Sequence, residues 1–136
     1  KGAYTESVKI VYKKMHDVDA NYDRCAGLLI DNTLSRDCPK VSSDGKIPTI
    51  PSLATHDPKR IEFATVYADK VGVPKDAFEF QMLNGIRRDL QEQLVTEGYY
   101  VRVYVPYGTE WYPYFMRRIA ERPADLLFLL PAFKFR

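Results

Sequence analysis

The 136 residues predict an α/β fold of the (β/α)8 TIM-barrel type, with this chain covering about the last four strand–helix units. A strand followed by a helix occurs three times in succession, and KGAY at the start fits the tail of a fourth strand, the pattern that makes parallel sheets. Each legible strand has one apolar and one polar face. That suits helices packed outside and a polar, ligand-lined interior, whereas a doubly wound sheet would be apolar on both faces. A complete barrel needs at least about 200 residues, so four units make half of one.

Taken in order, Val18, Tyr22, Cys25, Leu28 and Leu29 recur at helical spacing and predict a helix over 18–31, with Asp17 as N-cap. The polar stretch NTLSRDCPKVSSDGK, residues 32–46, carries Pro39 and Gly45 and reads as an insertion-like loop. Residues 47–55 form a strand candidate. THDP follows, where Asp57 caps a helix with Pro58 in its first turn, Ile61, Ala64, Ala68 and Val71 on one stripe, and Gly72 as its stop. FEFQML then sets Phe78, Phe80 and Met82 on one face against Glu79, Gln81 and Leu83 on the other. A helix with Ile86, Leu90 and Leu94 closes at Gly98, and YYVRVYVP alternates Val101, Val103 and Val105 against Tyr100, Arg102 and Tyr104. The last helix starts near Pro113 and ends close to Arg122, since Pro123 cannot continue it at low cost.

Composition narrows the function. The chain is 46% hydrophobic with a net charge of +2, and its charges of both signs are mixed along the sequence, which argues against a nucleic-acid surface. Ten of its eighteen aromatics are tyrosine, the residue that adds a hydroxyl to apolar area and suits pockets and interfaces. Cys25 and Cys38 are the only cysteines. With no signal peptide or long apolar run, neither a disulfide scaffold nor a membrane span is indicated, and a reducing compartment is expected. Residue 1 is Lys rather than Met, so further chain is expected upstream.

In such a barrel the site belongs at the C-terminal strand ends, which here read KGAY, ATHD, QMLNG and YVPYG. Beyond them, EWYPYFMRRIAER places Tyr114, Arg117 and Arg118 three and four residues apart, so one helix face presents a phenol beside two guanidinium groups. Arg offers a planar fork that matches the two oxygens of a small carboxylate, where Lys gives a point charge. The bland alternative is a solvated basic face beside Glu121 and Asp125. No metal is expected, because two histidines forty residues apart and two cysteines match no ligand spacing, and HDVDANYD lacks the glycine and terminal glutamate of a calcium loop. There is no Gly-rich phosphate loop either.

The ordered set KGAYTESV, SLATHDP, FEFQMLNGIRRDLQ and VRVYVPYGTEWYPYFMRRIAERPA resembles the FAD-dependent proline dehydrogenases, most closely the bacterial single-function type. The match runs from Lys1 to about Leu130 and departs at the 32–46 loop. The resemblance implies a distorted (β/α)8 barrel, residues 1–136 being its C-terminal half, with FAD at the C-terminal strand ends. It implies oxidation of L-proline to Δ1-pyrroline-5-carboxylate by hydride transfer to the flavin, and electrons passed to a membrane quinone. Lys1, Gly2 and Ala3 would lie against the flavin end of FAD, with Thr55 and His56 further along the cofactor. Tyr104, as the catalytic tyrosine, and Arg117 and Arg118 match the positions that hold proline, with Tyr4, Leu83 and Tyr114 as pocket walls. A cytoplasmic location, peripheral at the inner face of the plasma membrane, is implied as well.

One departure bears on activity. In the family, an arginine beside flavin N5 precedes the KGAY motif, and an aspartate and a lysine of the site come from the first half of the barrel. None of these lies within residues 1–136, so the N-terminal half is an expected partner, in the same or a separate chain, and the fragment alone is expected to be inactive. The competing reading is an inactive half-barrel that binds a carboxylate ligand or assembles with a partner chain.

Overall fold

The computed structural model describes residues 7, 9–35, 37, 50–109, 112, 113 and 116. The chain divides into two compact units, Lys1–Tyr104 and Val105–Arg136. In the first, helix α1 (Met15–Leu34) precedes β1 (Ser52–Ala54), α2 (Pro58–Val71), β2 (Glu79–Leu83), α3 (Arg88–Thr96) and β3 (Tyr100–Tyr104). The three strands form one sheet in the order β1-β2-β3, and both pairings are parallel. Each connection is therefore a helical crossover, as the strand–helix alternation predicts. In the second unit, Tyr112, Pro113 and Met116 have helical backbone. The rest of the helix expected over 113–122 lies outside the described residues.

Phe80 and Met82 of β2 join Leu53 of β1 on one face of the sheet, and Ile61, Ala64 and Ala68 of α2 with Leu90 and Leu94 of α3 cover them in a single core. Phe78, Phe80 and Tyr99 form a ring triad with centroids 5.6 to 5.7 Å apart beneath the strands. Lys75 closes it, lying 4.9 Å from the Tyr99 ring centre and donating to the Glu97 carbonyl at 2.8 Å. Outside, α1 packs on α2 through Ala26 and Ile30. Arg60 of α2 pairs with Asp19 at 3.4 Å and with Asp23 at 2.8 Å.

Helix α2 has the predicted ends. The Asp57 carboxylate accepts from Lys59 N–H at 3.0 Å, Pro58 sits at the first helical position, and Gly72 takes the left-handed conformation with φ 80° that a side chain would disfavour. Helix α1 departs from the reading. It runs from Met15 to Leu34 behind Lys14, so Asp17 stands in its first turn rather than at its N-cap. Asp17 favours that turn through the helix dipole instead. At the other end Asn32, Thr33 and Leu34 are helical, with the Thr33 hydroxyl donating to the Leu29 carbonyl at 3.0 Å. The predicted loop thus begins after residue 34, and its residues 36 and 38–46 lie outside the described residues.

Two further boundaries move. Strand β1 is confined to Ser52–Ala54, because Ile50 and Pro51 are not in strand conformation and proline cannot donate to a ladder; residues 47–49 lie outside the described residues. Ile86 falls in the turn before α3 rather than in the helix. On β3 the apolar face is less covered than the alternation predicts, with Val103 37% exposed, and Val105 falls past the strand's end. Among the described residues β3 is an edge strand, flanked only by β2.

Candidate active site at the strand ends

The second face of the sheet carries Ser52 and Ala54 of β1, Glu79, Gln81 and Leu83 of β2, and Tyr100, Arg102 and Tyr104 of β3 by strict alternation. Ladder register stacks these into layers. Ser52, Glu79 and Tyr100 are in line, then Ala54, Gln81 and Arg102, then Leu83 and Tyr104 at the C-terminal edge. His56 completes this top layer from the loop after β1: its Nε2 accepts the Leu83 N–H at 2.8 Å. An imidazole whose Nε2 accepts carries its ring proton on Nδ1.

The loops that set this layer are built from local rules. Thr55 is buried; its N–H donates to the Gln81 carbonyl at 3.3 Å, and its hydroxyl oxygen accepts from Asp57 N–H at 3.1 Å, so the cap of α2 and the end of β1 are one hydrogen-bonded piece. After β2, Gly85 turns the chain with φ 79°. Gln91 holds that turn from α3 by donating to the Leu83 carbonyl at 3.1 Å and the Ile86 carbonyl at 2.9 Å. Asn84 N–H donates to the Tyr104 carbonyl at 2.9 Å, extending the pairing past the last ladder rung.

Below the top layer stands a polar cluster that sequence reasoning did not select. The Glu79 side chain is 4% exposed and is reached from all three strands. Ser52 Oγ donates to it at 3.0 Å, Gln81 Nε2 at 2.7 Å, and Arg102 through Nε at 2.9 Å and Nη2 at 2.9 Å. Burial alone would push the Glu79 carboxyl up, but the hydrogen bonds from Arg102, Gln81 and Ser52 and the Arg102 charge together hold it below its ordinary value. The alternation showed Glu79 and Arg102 to be on polar faces. Only the register between strands 23 residues apart shows that they meet.

Of the sequence-selected residues, the structure brings His56, Leu83 and Tyr104 to the C-terminal edge of one sheet, and Thr55 is buried at the end of β1. Tyr104 is 57% exposed. Lys1, Gly2, Ala3, Tyr4, Tyr114, Arg117 and Arg118 lie outside the described residues. Among the described residues no cluster of three or more His, Cys, Asp or Glu could hold a metal ion, and no helix is long and apolar enough to cross a membrane.

Parallel strands with helical crossovers, and polar residues gathered at the C-terminal strand ends, define a barrel-type α/β site. The family model for proline dehydrogenase matches residues 1–129. The chain is 45% identical over 130 residues to proline dehydrogenase of Deinococcus radiodurans, covering 96% of this chain and 37% of that protein. It is 44% identical over 128 residues to proline dehydrogenase 2 of Bacillus subtilis strain 168, covering 94% of this chain and 37% of that one. Among solved structures it is similar to proline utilization A (PutA) from Bdellovibrio bacteriovorus inactivated by N-propargylglycine, with a TM-score of 0.69, 32% identity, and coverage of 85% of this chain and 11% of that chain. The chain belongs to the proline dehydrogenase family, and its parallel α/β architecture is a piece of a TIM-barrel-like fold. It spans under two fifths of the length of these curated relatives.

Proposed function

We propose that residues 1–136 are the C-terminal half of a (β/α)8 barrel enzyme that oxidises L-proline to Δ1-pyrroline-5-carboxylate, with FAD as hydride acceptor and a membrane quinone as the next electron acceptor. Membership of the family supports the reaction class. The observation that carries the site is the single layer made by His56, Leu83 and Tyr104 at successive parallel strand ends. In this reading the N-terminal half of the barrel, in the same or a separate chain, closes the polar face, and the enzyme works in the cytoplasm at the inner surface of the plasma membrane.

The donor set fits a flavin dinucleotide. His56 is held at the strand end by the Leu83 amide, and Thr55 is locked against Gln81 and Asp57 beside it, so both sit fixed where the cofactor would lie. Lys1, Gly2 and Ala3 would lie along the flavin end. When bound, FAD supplies the two-electron acceptor. The chain's own contribution is orientation and a dry pocket. Arg117 and Arg118 would clamp the proline carboxylate, Tyr104 would direct its hydroxyl to the substrate, and Tyr4, Tyr114 and Leu83 would wall the pocket against water.

The test is made on the full-length protein containing this segment, purified with its flavin. Anaerobic L-proline is expected to bleach the flavin absorbance, and Arg118→Lys is expected to raise proline KM by roughly tenfold to a hundredfold, because the charge stays and the fork is lost. No bleaching sinks the enzymatic reading. Bleaching with wild-type KM in both Arg117→Ala and Arg118→Ala sinks the clamp alone. The second reading, an inactive half-barrel that binds a carboxylate or a partner chain, draws on the exposure of Ser52, Ala54, Tyr100, Arg102 and Tyr104, and it predicts colourless protein.

A further inference from the structure

Arg102 is an arginine on the polar face of the sheet, below its C-terminal strand ends. It is in register with Gln81, in the layer directly under Leu83 and Tyr104, and its side chain is 48% exposed. A guanidinium there has the geometry to grip a carboxylate by itself. Its fork does not point to the top layer, however. Nε and Nη2 are both committed to Glu79, at 2.9 Å each, and Glu79 stands in register with Tyr100, two residues toward the N-terminal ends of the strands. Glu79 is itself held by Ser52 and Gln81, which anchor its carboxylate together with the arginine.

Resting on the proline-oxidising reading, we propose that Glu79 is a specificity-determining positioning residue: it occupies the Arg102 fork, draws it one layer back from the pocket, and so prevents Arg102 from capturing the substrate carboxylate in a non-productive pose. A carboxylate held by Arg102 would sit one layer below Leu83 and Tyr104 and would carry the ring's reacting carbon away from its place. Such a pose competes with the productive one in the bound state and does not alter the path from free enzyme to transition state. Its kinetic mark is specific: kcat and KM fall together while kcat/KM holds.

The experiment compares Glu79→Gln with wild type in the full-length flavin-loaded protein. Glu79→Gln keeps the shape and releases the charge-assisted fork, so kcat and KM for L-proline are expected to fall together by about five- to tenfold, with kcat/KM within about twofold of wild type. The double variant Glu79→Gln/Arg102→Gln removes the released fork and is expected to bring both parameters back. Glu79→Asp, whose carboxylate is withdrawn by one methylene, shifts them in the same direction by less, and it decides the matter if Glu79→Gln does not accumulate folded. Unchanged kinetics, a rise in KM, a fall in kcat/KM, or a double variant that does not recover overturns the inference. Wild-type protein whose flavin is not reduced by proline overturns the functional reading instead.

Discussion

His56 shows how one side chain joins two parts of the site. THDP placed it at a strand end, but its partner is the Leu83 amide 27 residues away, and no local pattern encodes that contact. The bond fixes the imidazole tautomer and pins the backbone of an expected pocket wall. In His56→Ala the Leu83 N–H loses its acceptor, which should lower stability by about 0.5 to 1.5 kcal/mol. Flavin retention by the full-length protein, measured by equilibrium dialysis, should fall more than proline affinity does. His56→Gln, whose amide oxygen accepts the same N–H, should recover the stability and only part of the flavin binding. Flavin bound as in wild type, with proline KM alone raised, would show that His56 serves the substrate side.

Among the elements, α2 was legible at both ends because its signals are local: an aspartate one residue before a proline, and a glycine after the last apolar stripe residue. Helix α1 was legible in its middle and not at its ends. Lys14 precedes it with no side-chain cap, so the acidic residue three positions on attracted the assignment. The sheet's polar clamp was half legible, since alternation gives the face and only pairing gives the contact. That clamp has a pH signature. Glu79 is held below its ordinary value of 4.5, and a carboxyl depressed in the folded state contributes stability that is present above its unfolded value and lost as pH falls through the folded one. The wild-type melting temperature should therefore drop on acidification below about pH 4.5, and Glu79→Gln, already lacking that contribution, should lose less over the same interval. Parallel curves for the two proteins would show that the carboxylate's partners give it no net preference for the folded state.

At the scale of the molecule, the described sheet is a barrel wall with two open sides. Its polar face exposes Ser52, Ala54, Tyr100, Arg102 and Tyr104. Among the described residues β1 pairs only with β2, and a groove of about 250 Å3 lined by Tyr22, Cys25, Ala26, Leu29, Ser52, Leu53 and Ala54 runs along its other side. An unpaired strand edge and a solvated polar face are stable when another strand and another wall cover them, and they are liabilities when left bare. In the proposed closed barrel the top-layer residues would meet groups from the opposite wall, so cofactor binding and closure would be one event. Expressed by itself, the 136-residue chain should accordingly be colourless and self-associate in gel filtration. On the proposed reading, co-expressed with a polypeptide that supplies the N-terminal half of the barrel, it should co-purify as a yellow complex whose flavin is bleached by proline, because parallel strand pairing and FAD would together stabilise the assembled form over its parts. A chain that is yellow and proline-reducible alone would show that this wall is a sufficient site. A complex that assembles yet stays colourless, and binds a small carboxylate in calorimetry, would favour the inactive half-barrel over the enzyme.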